Sequence, residues 1–135
     1  MNTQFEADLP HTAEAPGIAR HSLEAWLAPA LDRGDIDVAR LLVSELVTNA
    51  VVHGRGNITV RAHLDDDRLL VEVIDEGGGF ERKVRNWDLA RVGGRGLAIV
   101  EDAASRWGIH EGTTHVWFEL ERPGPRLGPA SKPTV

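Results

Sequence analysis

Glu45, Asn49 and His53 recur at every fourth residue in the stretch "SELVTNAVVHG" at 44–54. A four-residue step on a helix drifts by only ~40°, so these three side chains share one face. The same arithmetic puts Val38, Leu41, Leu42 and Val52 on that face, which sets the polar column inside an apolar stripe. Burying an unpaired polar group costs roughly 1–3 kcal/mol, and a charge costs more. The column therefore needs partners. One reading pairs Glu45 with an arginine and lets Asn49 cap a loop. The other is a site roofed by this helix face. An asparagine carbonyl oxygen is a fair Mg²⁺ ligand. A glutamate among apolar neighbours has its charged form disfavoured, which moves it toward a useful general base.

Two glycine clusters follow. In "VIDEGGG" at 73–79, Asp75 ends an apolar run. A carboxylate there can accept from a planar amine such as that of adenine. Gly77 and Gly79 let the backbone approach a flat ring. The bland reading of the same letters is a turn. In "GGRGLAIV" at 93–100 glycines lead straight into a helical pattern. Free N–H groups and the positive end of the helix dipole make such a junction an anion site, commonly for phosphate. A flexible loop is the alternative. No Gly-Lys-Ser/Thr follows, so this is not a Walker A loop, and the split clusters do not make a Rossmann fingerprint. Between the clusters, Arg82, Lys83, Arg85 and Arg91 outnumber Glu81 and Asp88. That insert reads as a basic lid over phosphates or as a solvated loop.

These groups must be held by ordinary elements. Residues 1–14 form a flexible N-terminus or an edge strand near Phe5–Leu9. A helical pattern runs from Ala15 to about Leu31, with Pro29 bending or ending it. "DRGDID" reads as a turn, with Asp35 or Asp37 capping the next helix. That helix stops at Gly54. "NITVRAHL" and "RLLVEVID" alternate as strands around the acidic turn "DDD" at 65–67. After the glycine-rich segment come a short amphipathic helix, "LAIVEDAASRW", and two strands around "GTT". The tail at 122–135 holds four prolines and reads as disordered. The expected fold is α/β (α+β). It is a two-layer sandwich in which helices cover one face of a mixed, mostly antiparallel sheet, with a single domain at 15–121.

The chain has 135 residues, 41% of them hydrophobic and 27% charged, which suits one domain with a real core. It has no cysteine, which removes disulfides, thiolate nucleophiles and Cys-based zinc sites. A net charge of −6 disfavours direct nucleic-acid binding, which draws on phosphate neutralisation. No apolar run approaches the ~20 residues of a membrane span. The N-terminal residues lack the basic and apolar regions of a signal peptide, so a cytoplasmic location is expected.

"ELVTNAVVHG", "VIDEGGG" and "GGRGLAIV" resemble, in order, the N box and the two G boxes of the ATP-binding fold shared by gyrase, heat-shock chaperones and histidine kinases. Within that superfamily the chain most resembles the bacterial anti-sigma-factor serine kinases, over roughly residues 15–121. The resemblance implies ATP and Mg²⁺ as cofactors. It matches Asn49 to the Mg²⁺ ligand, Glu45 to the general base and His53 to a position near the phosphates. Asp75 matches the adenine-reading carboxylate, with Gly77 and Gly79 shaping its pocket. Gly94 and Gly96 match the lid hinge and phosphate loop, with Arg95 between them and Leu97 next. Arg20, in "IAR", matches a partner-facing arginine on the first helix. The implied partners are a sigma factor and an antagonist protein carrying the acceptor Ser or Thr, and a homodimer is implied. Val52 stands where many relatives have arginine, and the Pro-rich tail has no family counterpart. A histidine kinase is not expected, because too few residues precede the second helix for a dimerising hairpin. A nucleotide-gated binding module without transfer, or an ATPase without acceptor, remains open.

Overall fold

The computed structural model describes residues 3–77, 95–109 and 115–121. The elements are β1 (Gln4–Leu9), α1 (Ala15–Leu27), α2 (Arg33–His53), β2 (Ile58–Leu64), β3 (Arg68–Asp75), α3 (Arg95–Ala103), β4 (Arg106–Ile109) and β5 (Val116–Glu121). The strands form one sheet in the order β1-β2-β3-β5-β4, with every described neighbour pair antiparallel. Four antiparallel pairings make it, and two of them, β2 with β3 and β4 with β5, join consecutive strands.

Strict alternation gives each strand two faces. Ile58, Val60, Leu69, Val71, Val73 and Phe118 are buried on one of them. The helices pack on that side: α2 lies against β2, β3 and β5, α1 against α2 and β1, and α3 against α2 and β4. The other face carries a cross-strand row of Glu6, Arg61, Glu72, Trp117 and Gly108. This is the two-layer arrangement expected of hairpins plus amphipathic helices.

Helix boundaries differ from the sequence expectation in three places. α1 stops at Leu27, short of Pro29, because residues 28–30 form a turn. α2 begins at Arg33 rather than after "DRGDID". Its N-cap is Asp32, whose side chain accepts from the Asp35 N–H at 3.0 Å. Asp35 is thus the capped residue in the first turn, and Asp37 binds Arg33 at 2.9 Å. α3 ends at Ala103, since Arg106 and Trp107 pair with β5. The acidic turn is present: Asp65 accepts from the N–H groups of Asp67 and Arg68 at 2.8 and 2.9 Å, which holds its carboxyl below the ordinary carboxylate value.

No helix among the described residues is long and apolar enough to cross a membrane. The tail at 122–135 lies outside the described residues.

Candidate functional site

The site is built around the C-terminal half of α2. Its core face is Ile36, Ala39, Leu42, Val43, Leu46 and Val47. Leu41 and Val52 were expected on the polar column's face as apolar neighbours, yet they are 42% and 65% exposed. The column runs along the margin of the buried stripe rather than through its middle. Glu45 and His53 are half-buried, and Asn49 is 6% exposed. Depth therefore increases from the flanking members to the central amide.

Asn49 Nδ2 is buried without a hydrogen-bond partner among the described residues. Such a group costs free energy unless something meets it. The two ends of an amide have nearly the same shape, so a half-turn puts the carbonyl oxygen in that position. An acceptor such as a phosphate oxygen would satisfy the first orientation. A hard cation would satisfy the second. The amide oxygen is one ligand of the kind that a hard cation such as Mg²⁺ takes. No cluster of three or more His, Asp or Glu residues among the described residues offers a cation site of its own.

Beyond His53, α2 closes with the Gly54 N–H on the Ala50 carbonyl at 2.8 Å. The next residues turn along the end of β3. Gly54 has φ −96° and ψ −166°, a backbone open to any residue. Its requirement for glycine is spatial: a Cβ there would overlap Asp75 Oδ2, lie 2.5 Å from Asp75 Cγ and crowd the Ala50 carbonyl at 2.7 Å. Gly56 has φ +68°, which favours glycine, and a Cβ there would stand 2.8 Å from that of Glu76. The Glu76 N–H donates to the Arg55 carbonyl at 2.9 Å. Residues 54–56 and 75–77 therefore fit together backbone against backbone. Asp75 is 8% exposed and accepts from the Gly77 N–H at 2.7 Å. A carboxylate fixed in this way at a strand end can read a planar amine.

α3 brings the third motif. Arg95 and Gly96 lie in its first turn, with Leu97 following, and Val100 is fully buried where α3 packs on α2. The first turn of a nine-residue helix leaves N–H groups without partners inside the helix. Gly79, Gly94 and the basic insert (Arg82, Lys83, Arg85, Arg91) lie outside the described residues. Arg20 is half-buried on α1, and its Nη1 donates to Ser44 Oγ at 2.8 Å. His21 is exposed.

The structure thus brings Glu45, Asn49 and His53 to one helix face and Asp75 to its end. Sequence reasoning took Gly54 only as a helix stop and passed over Gly56. "HGRGN" directly after a helix was the available signal, because two glycines spaced by one residue fit two close approaches on one side of an extended segment.

Comparison with known proteins agrees with this geometry. The histidine kinase-like ATPase domain family matches residues 6–120. A serine-protein kinase RsbW of Listeria innocua is 30% identical over 118 residues, covering 75% of this chain and 75% of that protein. An anti-sigma F factor of Caldanaerobacter subterraneus is 44% identical over 88 residues, or 59% of each chain. One from Clostridium acetobutylicum is 42% identical over 64 residues, 44% of this chain and 43% of the relative. With the family match spanning nearly the whole sheet-and-helix unit, and with relatives of this kind, the chain belongs to the histidine kinase-like ATPases, among the anti-sigma-factor serine kinases.

Proposed function

We propose that this protein is a Mg-ATP-dependent protein serine/threonine kinase that phosphorylates an antagonist protein and sequesters a sigma factor, working in the cytoplasm to regulate transcription. The observation that carries it is the buried, unpartnered Asn49 amide one turn from half-buried Glu45. Family membership supports ATP as the nucleotide, and the names of the relatives support the kinase and anti-sigma roles.

Asn49 would hold Mg²⁺, which when bound neutralises charge between phosphate oxygens. Asp75 would accept from the adenine amine, with Gly77 close to the ring. The first turn of α3, with Arg95 and Gly96, would face the phosphates. Glu45 would take the proton of the acceptor Ser or Thr hydroxyl. The hydroxyl oxygen bonds to the γ-phosphorus as the bond to the β–γ bridging oxygen breaks, and ADP leaves with that electron pair. Such transfer rests mainly on positioning and electrostatics, so one well-placed base suffices. Arg20, held by Ser44, would face the partner protein.

The test is transfer from radiolabelled ATP to a cognate antagonist by wild type and Glu45→Ala. Label on the antagonist with wild type, and its loss with the variant, supports the reading. Label transferred at the same rate by both sinks Glu45 as the base. Nucleotide-dependent capture without any label would make the protein a binding module instead.

A further inference from the structure

The connection between β1 and α1 has no part in the phosphoryl chemistry, yet one of its side chains reaches the nucleotide site. His11 lies 2.8 Å through Nε2 from the Val51 carbonyl oxygen and 2.9 Å through Nδ1 from the Gly56 carbonyl oxygen. A carbonyl oxygen only accepts, so the ring lies between two acceptors, one at a helix end and one on the loop that follows. Val51 sits in the last turn of α2, where helix carbonyls run out of partners within the helix. His11 supplies one such partner from 40 residues away.

The second bond matters more for the site. Gly56 is the left-handed residue that packs on Glu76, and Gly54, two residues earlier, packs on the Asp75 carboxylate. The Glu76 N–H also holds this loop, donating to the Arg55 carbonyl. His11 thus bridges the end of the Asn49 helix to the segment that backs Asp75.

We propose that His11, lying between the Val51 and Gly56 carbonyls, is a positioning residue for the base-reading wall of the nucleotide site: it holds residues 51–56 against Asp75 and Glu76 and so sets discrimination between nucleobases. This rests on Asp75 being the base-reading carboxylate. His11 does not touch the nucleotide.

The experiment compares the full-length wild type with His11→Ala and His11→Gln, whose amide nitrogen still donates. Calorimetry measures Mg-ATP, Mg-GTP and inorganic tripolyphosphate. His11→Ala is expected to weaken ATP about tenfold, the weight of one net hydrogen bond. It should narrow the preference for ATP over GTP and leave tripolyphosphate unchanged. His11→Gln should recover part of the affinity and the preference. Thermal unfolding of both variants shows that each is folded, and His11→Gln keeps the test open if His11→Ala is not. Wild-type affinity and preference in His11→Ala would overturn the proposal, as would an equal loss for ATP and tripolyphosphate. A wild type that bound no Mg-ATP would bring down the proposed function as well. Failure confined to the variants would bring down only the role of His11.

Discussion

Gly54 and Asp75 occupy adjoining space with no room for a methyl group between them: a Cβ on Gly54 would overlap the Asp75 carboxylate. The end of the α2 helix and the end of β3 are thereby registered to each other, which is where the proposed metal ligand Asn49 and the proposed base-reading Asp75 would share one nucleotide. Gly54→Ala must push Asp75, or the last turn of α2, out of place. The expected cost is about 1–3 kcal/mol of stability from overpacking, with weaker ATP binding. Thermal unfolding and calorimetry on one preparation measure both. Unchanged ATP affinity would place the nucleobase elsewhere.

Glu45 and Asn49 should separate by assay. Glu45→Gln keeps shape and burial, so ATP binding should persist while transfer to the antagonist falls by on the order of 10²-fold or more. Asn49→Ala should remove the Mg²⁺-dependent part of ATP binding. Calorimetry with Mg²⁺ and with EDTA resolves that part.

The Ser44 hydroxyl fixes where the Arg20 guanidinium lies. Ser44→Ala should leave ATP affinity intact and weaken capture of the sigma factor or antagonist by roughly three- to tenfold, the weight of one ordinary net hydrogen bond. Surface plasmon resonance with immobilised partner reads this. A loss of ATP binding instead would assign Ser44 to the nucleotide side.

Glu24 joins α1 to α2 by meeting Arg33 at 3.0 Å and Arg40 at 3.2 Å. The hydrogen bond from Arg33 holds its carboxyl below the ordinary value of 4.5. A depressed carboxyl contributes stability that is present above its unfolded value and lost as pH falls through the lower folded one. Glu24→Gln should therefore be less stable than wild type near neutrality, and the two stability curves should converge as pH drops below about 4.5. Salt should shrink the gap, since the pair is partly solvated. Denaturant titrations across the acid range show whether the curves meet.

Much of this was legible locally. The alternation in "ITVRAHL" and "RLLVEVID" identifies two strands because burial on one face imposes a period of two. The three motifs identify the nucleotide fold because each needs particular residue types at fixed spacing. The strand order was not legible, since nothing in "VWFELE" says that it inserts between β3 and β4. Nor was the exposure of Leu41 and Val52, because helical periodicity gives relative angles and leaves open which side meets the sheet. His11 was invisible for a related reason. Its two acceptors lie 40 and 45 residues along the chain, and no local pattern encodes a side chain that caps a distant helix.

β5 is the latest of the described strands in the chain, and it is the only described neighbour of β4. As the polypeptide leaves the ribosome, β1, β2 and β3 can pair and receive α1 and α2 while β4 still has no strand beside it. β4 joins the sheet only when residues 116–121 slot in. Phe118, fully buried in that strand, closes the core in the same event. A chain made only as far as β3 can thus form the helix of Glu45 and Asn49 with its three-stranded support, while the core over Phe118 waits for the latest described strand.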